Sequence, residues 1–154
     1  MGKKLTILII FLLVMLPIGF LAVDLILTAQ SVSAEDGVVI GSVTADVSND
    51  LSQMEIHIPI ETKSGGFLPK KVAVDMEMVG QGTPIEFAFE FALGTETVIS
   101  KAVTLPTGDT AWLQGNSTTL TYRVTWAKAQ IKIYGIVLPI EQEIDVESFT
   151  VTAP

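Results

Sequence analysis

Apolar positions follow two different rhythms along this chain. From Leu5 to Val23 nineteen residues pass without a charge, LTILIIFLLVMLPIGFLAV. A helix of that length rises about 28 Å, close to the ~30 Å hydrocarbon thickness of a bilayer. Lys3 and Lys4 precede the run and Asp24 ends it. The run predicts a transmembrane helix with a cytoplasmic N-terminus, because basic residues stay on the cytoplasmic side. The competing reading is a secretory signal cleaved near Ala34, after the small-residue site Val32-Ser33-Ala34. A signal core is typically ~7–15 residues, shorter than this run, so a retained anchor is the favoured reading. Residues 1–27 are then the anchor, 28–36 a small polar linker, and 37–154 the body.

Beyond Gly37 the period changes to two, the signature of half-buried strands. Met54, Ile56, Ile58 and Ile60 alternate with Glu55, His57, Pro59 and Glu61. Val72, Val74, Met76 and Met78 alternate with Ala73, Asp75 and Glu77. Ile85, Phe87, Phe89, Phe91 and Leu93 alternate with Glu86, Ala88, Glu90 and Ala92. Leu120, Tyr122, Val124 and Trp126 alternate with Thr119, Thr121, Arg123 and Thr125. Weaker strands are expected at 38–47, 97–105, 130–138 and 143–152. Gly, Pro, Asn and Asp clusters punctuate them, at Ser64-Gly65-Gly66, Gly80-Gln81-Gly82, Pro106 to Asp109 and Gly115-Asn116-Ser117. No convincing amphipathic helix shows in the body, and 126–133 is ambiguous. Seven to eight short strands with these turns predict an all-β, Ig-like antiparallel sandwich behind one N-terminal transmembrane helix.

Composition narrows the chemistry. The chain carries 9 Lys+Arg against 17 Asp+Glu, a net charge of −8, with no large basic cluster to hold a nucleic acid. It has no cysteine and a single histidine, which removes disulfides, thiolate zinc sites and cysteine nucleophiles. His57 reads as a partly exposed strand residue. Asp75 and Glu77, about 6.6 Å apart by strand rise, have the spacing of a carboxylate pair. Strand carboxylates alternating with apolar residues are ordinarily a solvated face, and that reading is preferred here. Asp46 to Asp50 offers oxygen ligands but lacks the glycine and distal glutamate of a calcium loop, so it reads as a turn. Neither a nucleophile elbow nor a phosphate loop is present. No cofactor or metal is expected, and the chain is read as a non-enzyme. Asn116-Ser117-Thr118 is an N-glycosylation sequon in a turn, which makes Asn116 the candidate modification site.

Several segments carry a family likeness: Ile56-His57-Ile58-Pro59-Ile60-Glu61-Thr62-Lys63, Gly66-Phe67-Leu68-Pro69, Val72 to Met78, Leu120 to Val124, and Ile136-Val137-Leu138-Pro139-Ile140. Through them residues 38–152 resemble the late-embryogenesis-abundant type 2 family, also called the water-stress and hypersensitive-response (WHy) domain. Where that family carries Asn-Pro, this chain has Ser64-Gly65-Gly66. The resemblance implies a seven-stranded sandwich without a catalytic site and a stress-related role. The expectation is a membrane-anchored β-sandwich outside the cytoplasm, acting in binding or stress protection. Its partners would be the bilayer, through residues 5–23, and envelope proteins or further copies of itself. A structural subunit of an envelope or surface assembly is the alternative.

Overall fold

A computed structural model describes residues 2–32, 37–63, 65–133 and 135–154. The Ala34 cleavage site named above lies outside the described residues. Helix α1 spans Gly2–Val32, and its apolar stretch from Leu5 to Val23 is exposed along its length. Strands β1 (Val38–Ile40), β2 (Thr44–Val47), β3 (Gln53–Thr62), β4 (Lys71–Val79), β5 (Ile85–Ala92) and β6 (Glu96–Thr104) follow. Helix α2 (Thr107–Gly115) precedes β7 (Thr119–Ile133), β8 (Ile136–Glu143) and β9 (Phe149–Thr152).

The strands form two antiparallel sheets, as the alternating pattern predicts. In the first, β3 is central, with β6 on one side and β1 and β2 on the other. The second runs β5-β4-β7-β8, and β9 pairs with the start of β7. Met54, Ile56, Ile58 and Ile60 meet Val72, Val74, Met76 and Met78 in the core, all at most 2% exposed. Phe87, Phe89 and Phe91 stack in a row at 6.2 and 6.3 Å between ring centres along the edge strand β5.

The described strands number nine, where seven to eight were expected, and the strand expected at 130–138 is instead divided between the end of β7 and the start of β8, with 143–152 reduced to β9. The expected strand 38–47 is split in two. Ile40 faces Ile60 and Thr44 faces His57, so four steps on one strand match three on the other. The extra residue falls beside Pro59, which has no N–H to give the ladder. In β7 a second bulge inserts Thr125, since Glu77 faces Trp126 but Met78 faces Val124. Side-chain phase reverses there: Tyr122 points inward before it, and Ala127, Ala129 and Ile131 point inward after it. Trp126, expected in line with Leu120 and Tyr122, is therefore partly exposed on the outer face. The ambiguous 126–133 stretch is strand, continuous with 119–125.

Two expectations about helices are corrected. The stretch between the turns at Pro106 and Gly115 is α2, packed on the sandwich by Leu113 and Asp109. Thr28 to Val32, expected in a linker, is the last part of α1, and both Thr28 and Val32 are buried.

Candidate functional site

Strand register gathers four segments at one end of the sandwich. Lys71 faces both Ala92 and Lys132, and Val38 faces Thr62. The β3–β4 loop, the β5–β6 turn and the β7–β8 turn therefore share the end from which α1 departs. Asp24, Thr28 and Val32, four residues apart, form the stripe of α1 that faces the body.

The junction is polar and buried. Asp24 and Lys70 have no side-chain exposure, and the ammonium lies 2.8 Å from Oδ2 of the carboxylate. The other oxygen, Oδ1, accepts hydrogen bonds from the backbone N–H groups of Phe67 and Leu68, the latter at 3.0 Å. Lys70 donates further to the carbonyls of Gly65 and Leu68, each at 2.9 Å. Thr28 Oγ1 donates to Gly65 O at 3.1 Å and back to Asp24 O at 2.7 Å. Gly66 adopts φ +76°, and a Cβ there would lie 2.2 Å from Asp24 Oδ1. Only glycine combines that backbone with so close an approach. Phe67 stacks on Phe20 at 5.4 Å between ring centres, yet remains 65% exposed.

The opposite end carries a second buried carboxylate. Asp109, in the first turn of α2, accepts from the N–H of Gln81 (2.7 Å) and Gly82 (2.6 Å) through Oδ1. Its Oδ2 accepts from the Tyr122 hydroxyl at 2.7 Å. Burial first, and the adjoining carboxylate second, push the Tyr122 phenol well above its ordinary range. Asp109 thus clamps the β4–β5 loop to α2 and β7. A Cβ on Gly80 would stand 2.8 Å from the same carboxylate, so the loop needs glycine to approach it.

His57 is a partly exposed strand residue, as expected, but it has partners that spacing did not reveal. Its Nδ1 contacts Ser100 Oγ at 2.9 Å and its Nε2 lies 3.3 Å from Asp46 Oδ2. Serine, histidine and aspartate are the groups of a nucleophilic triad. Here they lie across three strands on an open sheet face, and Asp46 is 87% exposed. Such a row neither fixes the imidazole firmly nor excludes water. Asp75 and Glu77 lie on the outer face of the second sheet. Glu77 faces Glu86 across the strands and accepts from Thr125, and Asp75 faces Lys128. A shallow groove of ≈ 340 Å³ there is lined by Asp75, Glu86, Trp126, Lys128 and Glu141, with Lys128 and Glu141 paired at 2.7 Å.

Of the turn expected at 46–50, Asp46 and Val47 are the end of β2, and the turn itself begins at Ser48. Ser48 Oγ (2.6 Å), Ser52 N (3.1 Å) and Ser52 Oγ (2.8 Å) all donate to Asp50 Oδ1, which lowers its carboxyl to about 2. Among the described residues no group of three His, Asp or Glu side chains is placed to hold a metal ion. Asn116 is exposed at the C-terminal cap of α2, its N–H bonded to Trp112 O at 2.9 Å.

No protein-family model matches the chain. No curated protein matches it. Among solved structures, one described as a crystal structure of a protein from Archaeoglobus fulgidus aligns over 75% of this chain and 98% of its own. Identity is 18% and the TM-score 0.39, a likeness too distant to carry an argument. The apolar helix and the β-rich body together fit a membrane-anchored β domain.

Proposed function

We propose that this chain is a single-pass membrane protein whose β-sandwich is a non-catalytic binding module held at the non-cytoplasmic face, with the anchor built into its fold. The observation that carries this reading is the buried Asp24–Lys70 pair. Cleavage near Ala34 would remove Asp24 and leave the Lys70 ammonium without its counter-charge. Breaking a buried pair by removing one partner typically costs ~3–5 kcal/mol, so a mature domain without α1 would be poorly matched to its own loop. Lys3 and Lys4 support the orientation through the positive-inside bias. The grooves described on the sandwich, the one between edge strands β5 and β6 included, are open to the surface, which favours recognition by outer surfaces over carriage of an apolar ligand inside. A stress-protective role rests on the type 2 resemblance alone.

The test is the mature protein itself. Full-length chain isolated from membranes should resist carbonate extraction, keep residues 5–34 by intact mass, and lose its C-terminal domain only to protease added from outside. A soluble product starting near Glu35 would overturn the reading.

One observation favours the alternative of an assembly subunit. Strand β6 pairs only with β3 among the described strands, and none of its residues is fully buried. Such an edge is a template for another strand. Full-length chain in lipid nanodiscs should then be a defined oligomer, whereas a monomer would remove this alternative.

A further inference from the structure

Resting on the membrane-anchored reading, we infer that the α1 end of the sandwich is itself a membrane-contacting surface, with the β3–β4 loop and the β7–β8 turn seated in the bilayer interface. The junction sets the depth. Asp24 is the first charge after the apolar run, and because Lys70 covers it the exposed side of α1 stays apolar through Ile26 and Leu27, so the junction lies at the end of the membrane-crossing stretch. Phe67 does not stay above that level. It stacks on Phe20, four residues back along α1, about 6 Å deeper at 1.5 Å per residue. The Asp24 hydrogen bonds to the Phe67 and Leu68 N–H groups hold the loop at that depth.

A second element reaches the same end independently. Ile136 and Val137, just after the β7–β8 turn, are 68% and 44% exposed. With Phe67 they account for three of the six large apolar side chains exposed outside α1 in the described chain. Exposed apolar side chains concentrated beside a membrane helix have a ready partner in the bilayer, which removes their cost in water. The chemistry around them is interfacial. Lys71 is exposed at this end, and Lys132 pairs with Glu90 beside it. An open groove of ≈ 520 Å³ lined by Pro69, Lys71, Glu90, Lys132 and Gly135 faces the same layer. Lysine stems over apolar surface with ammonium heads toward phosphate is the ordinary arrangement at a lipid headgroup. The partner is the phospholipid bilayer that α1 crosses, and the body rests on it at a fixed tilt.

The absence of native cysteine makes the test direct. Full-length Phe67→Cys, Ile136→Cys, Val14→Cys and Gln114→Cys are each labelled with an environment-sensitive fluorophore and reconstituted into phosphatidylcholine–phosphatidylglycerol vesicles. Lipids carry a spin-label quencher either near the headgroup or near the chain end. The probe at 14 should be blue-shifted and quenched by the deep label. Probes at 67 and 136 should be blue-shifted and quenched by the shallow label, and the probe at 114, at the far end, by neither. A quenched probe at 14 with probes at 67 and 136 as wet as the one at 114 would overturn this inference and leave the anchor standing. A wet probe at 14 would overturn the anchor itself. Position 136 keeps the test valid if Phe67→Cys disturbs the stack with Phe20.

Discussion

Removing the Asp109 carboxylate should be among the most damaging single changes in the sandwich. Asp109→Ala strands three donors at once: two backbone N–H groups at 2.6 and 2.7 Å and the Tyr122 hydroxyl at 2.7 Å. An unsatisfied buried polar group costs ~1–3 kcal/mol. Tyr122 is fully buried and takes the upper part of that range. Gln81 and Gly82 lie nearer solvent, where water can replace part of the loss. The sum is about 3–5 kcal/mol. For a body of this size 1 kcal/mol moves Tm by roughly 3–5 °C, so the melt should fall by about 10–20 °C. Tyr122→Phe removes one donor and keeps the ring, at a cost of about 1–2 kcal/mol. Because the two side chains share one bond, the double variant should cost at least ~0.5 kcal/mol less than the sum of the single variants. The assay is thermal unfolding of the full-length chain in detergent, followed by far-ultraviolet circular dichroism. Asp109→Ala melting within a few degrees of the parent would refute the clamp, as would strict additivity with Tyr122→Phe.

Three further outcomes can be checked with the same preparation. Phe89→Ala should cost ~3–5 kcal/mol by opening the stacked row, whereas Glu90→Ala, which loses only an exposed pair with Lys132, should melt close to the parent. Reversal of that order would place the wrong face of β5 in the core. The raised Tyr122 phenol stabilises the fold in its protonated state, so that contribution is complete below pH 10 and declines as pH rises above it. Tyr122→Phe should flatten this alkaline loss in a pH series of melts, and an unchanged slope would mean that the phenol is not its source. Lys70→Ala should destabilise full-length protein by about 3 kcal/mol, the low end for a buried pair because only α1 and one loop cover it, whereas Asp24→Leu with Lys70→Met should be close to neutral. An equal loss in both variants would mean that packing, and not charge pairing, dominates the junction.

The central strands were legible because their inward residues are large and unbroken in phase. Met54 to Ile60, Val72 to Met78 and Phe87 to Phe91 each keep one face, and each lies in the core. β7 was harder, since its bulge at Thr125 reverses the phase between two good patterns, leaving Trp126 on the wrong side of a simple extrapolation. The signal was present in Ala127, Ala129 and Ile131 alternating with Lys128 and Gln130. Helix α2 was hidden because nine residues are too few for a clear helical period, and its ends carry turn residues. The junction was the least legible feature. Asp24 reads as the end of an apolar run and Gly65-Gly66 as loop residues, and Ser64 lies outside the described residues. That Asp24 meets Lys70, or that Gly66 is needed for a carboxylate to approach it, depends on tertiary placement that no local pattern encodes. The same holds for His57, whose contact with Ser100 follows from register across β3 and β6.

The central claim is that the anchor is a docked part of the domain and not a tether. It is tested most directly by the contact between Phe20 and Phe67 in native membranes. Full-length chain with Phe20→Cys and Phe67→Cys, treated with a short bis-maleimide, should form an internal cross-link in high yield, seen as a shifted band and as linked peptides. The pair Phe20→Cys with Gln114→Cys, at opposite ends of the body, should give none. A 20–67 pair that cross-links no better than the 20–114 pair, or a membrane-free product lacking residue 20, would contradict it.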